Sequence, residues 1–241
     1  MVLSLMTISN DMKNKQATEK NTCEFCEKEF IRESSLLKHI CAPKRRWLNR
    51  DNQDSRIAYN AWLEFYTKHT NKKKKDFIDF VESPYYTAFI KFGMYCIETN
   101  VLNTSRYIDW LVKNQISIDT WNRDTTYTKF IIDYIKTEDP LDAIARSIET
   151  CVRLAEEDKI QTKDVLRYGN KYRICFEITK GKISPWMLFH SESGLKFIES
   201  LDITQQKMIL EYINPEQWAI KFKKHKNMIP EVKELLVAAG Y

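Results

Sequence analysis

Glycine and proline are scarce, at 5 and 6 of 241 residues. Barrels and sandwiches need a turn every few residues, so such a chain suits them poorly. Five glycines leave no Gly-rich phosphate loop, and neither His-Glu-x-x-His nor Gly-x-Ser-x-Gly occurs. Long apolar runs are missing too. A bilayer span takes ~18–20 such residues, and the best stretch, residues 84–97, is interrupted by Lys91. No membrane partner is expected. Met1 to Ile8 has neither the cationic lead nor the length of a secretory signal. The six cysteines are therefore expected to be reduced, in the cytoplasm, with no disulfides.

Aromatic residues are plentiful: 12 Phe, 12 Tyr and 6 Trp carry enough apolar surface for most of the chain to fold. The net charge of +5 is uneven. Residues 1–50 hold ten Lys/Arg and six Asp/Glu, a surplus of four, which leaves one for the remainder. Between Cys23 and Cys41 there are three basic and four acidic residues. The next segment, Ala42 to Arg50, carries Lys44, Arg45, Arg46 and Arg50 without an acid, and such a cluster attracts phosphates. A second run, Lys72 to Lys75, lies between periodic stretches and reads as a loop. The expected organisation is a flexible tail over 1–21, a cysteine/histidine module over 22–42, a basic connector over 43–53 and a helical domain over 54–241.

The helical reading rests on apolar side chains three and four residues apart, which share one helix face. Examples are Ile57, Ala58, Ala61, Trp62 and Phe65, and the longer stripe Leu141, Ile144, Ala145, Ile148, Val152 and Ala155. Four prolines follow a good N-cap residue: Ser83-Pro84, Asp139-Pro140, Ser184-Pro185 and Asn214-Pro215. Proline costs nothing at the first helical position, where its missing N–H had no partner. Tyr172, Ile174, Phe176 and Ile178 alternate as in a strand, yet Asn170 can cap a helix there and Gly181 can end it, so a helix is expected. The fold class is mostly α, with nine or ten helices in the large domain. Its rings over residues 59–134 and the thiols of Cys96 and Cys151 should be core.

In the module, Cys23-Glu-Phe-Cys26 is followed by Phe30, Leu36, His39 and Cys41. Two thiolates on a knuckle and an imidazole on a short helix suit a tetrahedral Zn²⁺, with Phe30 and Leu36 as a minimal core. The pattern resembles a C2H2-type zinc finger, which implies a small ββα unit. It departs at the fourth ligand, because the family's positions hold Pro43, Lys44 and Arg45. Cys41 is then the expected ligand; otherwise it is a structural thiol, and His69 or water completes the site. Residues 39 and 41 would diverge by about 200° on a continuous helix. For both to bind, the helix must stop at His39.

The resemblance also implies base-reading side chains just before the helix and at its third and sixth residues, here Arg32, Ser35 and Lys38. DNA or RNA is thus one expected partner, with Lys44, Arg45, Arg46 and Arg50 contacting phosphates and Trp47 offering a stacking ring. A host or phage protein docked on the acidic finger is the alternative. A metal-dependent nuclease built on Asp164, Glu177 and Lys180 is a third reading, which needs those acids on adjacent strands. His190 and His225 are isolated and read as non-catalytic. As a whole, the chain resembles finger-containing proteins of T-even-like tailed phages and cyanophages. The carriers are the finger with Pro43-Lys44-Arg45-Arg46-Trp47, Ser83-Pro84-Tyr85-Tyr86, Arg167-Tyr168-Gly169-Asn170 and Ile183-Ser184-Pro185-Trp186. That resemblance implies action in an infected bacterial cytoplasm, as a zinc-binding, non-enzymatic nucleic-acid-binding accessory protein in replication, transcription or repair.

Overall fold

A computed structural model describes residues 21–69 and 75–241. The expected tail apart from Asn21, the lysine run apart from Lys75, and the side chain of His69 lie outside the described residues. Strands β1 (Asn21–Thr22) and β2 (Glu29–Phe30) pair antiparallel, Asn21 opposite Phe30. Helices α1 (Glu33–Lys38) and α2 (Ala42–Leu48) follow. The body then runs through α3 (Gln53–His69), α4 (Phe77–Glu82), α5 (Tyr86–Glu98), α6 (Thr104–Lys113), α7 (Asp124–Ile135) and α8 (Pro140–Asp158). It continues through α9 (Val165–Tyr168), α10 (Lys171–Thr179), α11 (Pro185–His190), α12 (Glu192–Glu199), α13 (Ile203–Ile213), α14 (Pro215–Lys224) and α15 (Ile229–Ala238). The mostly-α class and the small N-terminal sheet are as expected. Among the described residues no helix is long and apolar enough to cross a membrane.

The described body has more helices than the nine or ten expected, because several are single turns. Helices α4, α9 and α11 have 6, 4 and 6 residues, too few to display a 3.6-residue stripe. Three of the four proline signals work as anticipated: Asp139, Ser184 and Asn214 each accept a backbone N–H from the turn that Pro140, Pro185 or Pro215 opens. Ser83-Pro84 does not begin a helix. Ser83 closes α4, and its hydroxyl accepts from the Tyr85 N–H at 3.2 Å, forming a turn before α5.

The segment 172–178 is helical within α10, capped by Asn170 and followed by Gly181 at φ +72°. Ile174 and Ile178 are buried, whereas Tyr172 and Phe176 are exposed. Two i, i+4 pairs on opposite faces therefore produce the strand-like alternation. Helix α8 corrects another expectation. Its buried line is Ile144, Ser147, Cys151 and Leu154, while Val152 is exposed. Ser147 reads as polar but belongs to the core face, because its hydroxyl donates to the Ala143 carbonyl at 2.7 Å and accepts the Ser184 N–H at 2.8 Å.

The core is one continuous cluster rich in rings. Trp121 meets Phe65, Phe89 and Phe92 edge-on at 6.1, 5.5 and 5.3 Å, geometry that suits the ring quadrupoles. Two buried rings have their polar edges satisfied, Trp121 Nε1 donating to the Ile116 carbonyl and Trp62 Nε1 to the Ser83 hydroxyl, whereas the buried Trp186 Nε1 has no partner among the described residues. Cys96 and Cys151 are buried as expected, and Cys175 joins them. Helices α3 and α5 approach at Gly93, where a Cβ would lie 2.2 Å from the Asp54 carbonyl oxygen. Only glycine permits that contact, since backbone cannot move aside as a side-chain tip can. Gly93→Ala should therefore destabilise the protein by about 1–3 kcal/mol, the cost typical of overpacking. Urea unfolding measures it; a variant as stable as the parent would mean that the two helices separate freely.

Candidate metal centre

The knuckle that opens the module is a tight turn. The Glu27 N–H donates to the Cys23 carbonyl at 2.8 Å and the Cys23 N–H to the Lys28 carbonyl at 2.9 Å, with Glu27 itself at φ +56°. This places Cys23 and Cys26 side by side. Helix α1 then ends at Lys38, and both His39 (φ −75°, ψ 124°) and Cys41 (φ −78°, ψ 168°) are extended. In extended backbone, residues two apart point to the same side. The helix thus stops where the expected ligand set requires, and α2 begins directly after Cys41.

The four ligand atoms of Cys23, Cys26, His39 and Cys41 lie within 4.8 Å of one another. Cys23 Sγ is 3.9 Å from Cys41 Sγ, and Cys26 Sγ is 3.2 Å from His39 Nε2. A disulfide needs about 2.05 Å, so the thiols are free. A tetrahedral ion with metal–sulfur bonds of about 2.3 Å sets sulfur–sulfur edges near 3.8 Å, so the observed spacing fits. The Phe30 ring packs on the His39 imidazole at 4.8 Å and holds it in place.

The thiols are not equivalent. Burial pushes Cys23 up, but backbone N–H groups of Phe25 and Cys26, with the thiols of Cys26 and Cys41, more than offset this and the net shift is down. At Cys26 the Lys28 N–H pulls down, while burial and the Cys23 and Cys41 groups push up more strongly. The two knuckle thiols are thus shifted in opposite directions, Cys23 toward the thiolate and Cys26 away from it. The four side chains can therefore hold a metal ion. Among the described residues no other such cluster exists.

The residues expected to meet nucleic acid fall into two groups. Arg32 is the N-cap of α1 and makes no capping bond, and Ser35 and Lys38 lie on α1; all three are exposed. With α1 starting at Glu33, they occupy the positions before the helix and at its third and sixth residues. The basic connector is largely helix α2, and much of it packs against the body. Arg46 Nη1 donates to the Val81 carbonyl at 2.7 Å, and its guanidinium lies 4.5 Å from the Tyr86 ring centre. Trp47 sits 5.6 Å from Phe25 and packs on the body's core, with the Arg50 guanidinium 3.8 Å from its ring centre. Arg45 is exposed and Lys44 half-buried, and neither forms an ion pair among the described residues.

Phe25, between the two knuckle cysteines, is a packing residue that the sequence analysis does not single out. Asp164, Glu177 and Lys180 do not assemble a strand-borne site. Glu177 lies on α10, with its carboxylate 2.7 Å from Arg153 Nη2, and the described body contains no sheet. His190 packs on Trp186 and Phe222, at 5.3 and 4.4 Å between ring centres. Comparison with protein-family models, curated proteins and solved structures finds no match for this chain.

Cobalt(II) titration checks the centre directly. About one ion per chain should bind with tetrahedral thiolate spectra. Cys41→Ala should weaken binding by more than the ~10–100-fold that losing an outer-shell partner costs. Unchanged affinity in that variant would remove Cys41 from the ligand set.

Proposed function

We propose that this is a zinc-dependent, non-enzymatic adapter whose finger docks on another protein. Zinc is the ion of choice because three thiolates and one imidazole in a closed tetrahedral set match its structural sites. The observation that carries the docking reading is the finger's outer surface. Ile31 is 100% exposed, Leu37 71% and Ile40 54%, all within a module too small to spare apolar residues from its core. Arg32 and Lys38 flank them in sequence, so the partner surface is apolar with carboxylates at its edge.

Charge supports the same reading. The module carries four acidic and three basic residues between Cys23 and Cys41, and a divalent ion on three thiolates leaves the centre itself negative. Of the four cations meant to compensate on α2 and just after it, Arg46 and Arg50 are engaged with Val81, Tyr86 and Trp47. Lys44 and Arg45 are left for phosphates. The resemblance to tailed-phage finger proteins adds the setting: a host or phage protein partner in an infected bacterial cytoplasm.

Nucleic acid is the second reading, favoured by the exposure of Arg32, Ser35 and Lys38 at the three base-reading positions of the resemblance. Two experiments separate the readings. Leu37→Glu should weaken nuclease-resistant capture of a partner from extract by about 2 kcal/mol, roughly 30-fold, with zinc content unchanged. Affinity for labelled DNA or RNA should be weak and independent of Lys44 and Arg45. If instead binding falls steeply with salt, and the slope drops by about 0.9 per cation removed from these two, while Leu37→Glu leaves capture intact, the nucleic-acid reading replaces the adapter.

A further inference from the structure

Helix α8 presents a second face away from the core. Arg146, Glu149, Thr150 and Arg153 recur at three- and four-residue steps, so they line one side of the helix. They border a cleft of about 340 Å³, closed by the Asn100–Leu102 turn after α5 and by Lys182 from the turn after α10. The Lys182 turn is held there firmly. Gly181 takes φ +72°, its carbonyl accepts from Arg146 Nε at 2.9 Å, and the Thr150 hydroxyl lies 3.2 Å from the Lys182 carbonyl.

Both arginines are fixed from behind. Glu138, almost wholly buried, takes Arg146 Nη1 and Nη2 at 2.7 and 2.9 Å. Glu177 takes Arg153 Nη2 at 2.7 Å, and the exposed Glu157 takes its Nη1 at 3.1 Å. A guanidinium has five N–H donors. Arg146 therefore keeps two and Arg153 three beyond these bonds. Lys182 has no carboxylate within ion-pair distance among the described residues. Burial pushes its ammonium down; Glu177 opposes this, while Arg153 and Lys180 add to it. The one acid on the rim, Glu149, is exposed.

We infer that this cleft binds a small phosphate-bearing anion, held by the outward N–H groups of Arg146 and Arg153 and by the Lys182 ammonium. Pre-oriented guanidinium N–H donors suit phosphate oxygens, and Lys182, with no carboxylate within ion-pair distance among the described residues, adds a cation that no acid neutralises. The volume lies at the low end of small-molecule sites, enough for a phosphomonoester of modest size.

The test uses full-length, zinc-loaded protein and inorganic phosphate at constant ionic strength set with chloride. Phosphate about twenty-fold above its Kd should raise Tm by about 4–7 °C. Lys182→Gln should melt like the parent without phosphate, since it breaks no ion pair, and should bind phosphate at least about ten-fold more weakly. Lys223→Gln, in the lysine-rich end of α14 (Lys221, Lys223, Lys224), controls for nonspecific attraction and should respond like the parent. Tighter binding of a nucleoside monophosphate identifies a phosphomonoester as occupant, and equal binding identifies free phosphate. No shift with phosphate, an equal shift in Lys182→Gln, or an equal loss in Lys223→Gln overturns the inference.

Discussion

The break between α1 and α2, with His39 and Cys41 both extended, governs the N-terminal module. A helix continued through them would send the imidazole and the third thiol in different directions. Ending α1 at Lys38 puts both on one side, opposite the knuckle thiols. The same break lets a new helix start at Ala42, pointed at the body. The ligand set therefore sets where α1 stops, where α2 starts, and how Trp47 and Arg46 reach the core. A metal ion would lock that corner, because a module of this size cannot bury enough apolar surface to hold it alone.

The cost of this arrangement falls on the basic cluster. Arg46 and Arg50 use their guanidinium faces on Tyr86 and Trp47, and Arg46 satisfies the carbonyl of Val81 near the end of α4. Such contacts use the planar, weakly hydrated cation as a packing group. A charge run in sequence is thus split by the fold into Arg46 and Arg50, which pack on rings, and Lys44 and Arg45, which form no ion pair among the described residues. What the finger offers outward is apolar and mixed in charge.

Helix α8 joins two otherwise separate properties of the body. Its inner line of Ile144, Ser147, Cys151 and Leu154 is core, and its outer line of Arg146, Thr150 and Arg153 forms a cationic cleft. Buried Glu138 and Glu177 are costly to desolvate unless paired. Their pairing fixes the two guanidinium groups in space, with donors left over for a ligand.

Cys-x-x-Cys, the spaced histidine and the proximal Cys41 were sufficient in sequence to pick out the four side chains that come together and can hold a metal ion, because coordination chemistry fixes residue type and spacing together. Apolar periodicity and N-capped prolines likewise announced a helical body, since both act within one helix turn. Other features depend on residues far apart in the chain and were not legible. Ser147 reads as polar until Ser184 is placed against it, and the packing of half-buried Trp47 on Phe25 and the core is equally absent from the local sequence. The arginine stripe of α8 reads as an ordinary solvated face until Lys182, Glu138 and Glu177 arrive from other elements. Local rules determine which side chains share a helix face, and tertiary packing alone decides which face meets core, cation or solvent, because burial and charge pairing are properties of neighbours that sequence separates.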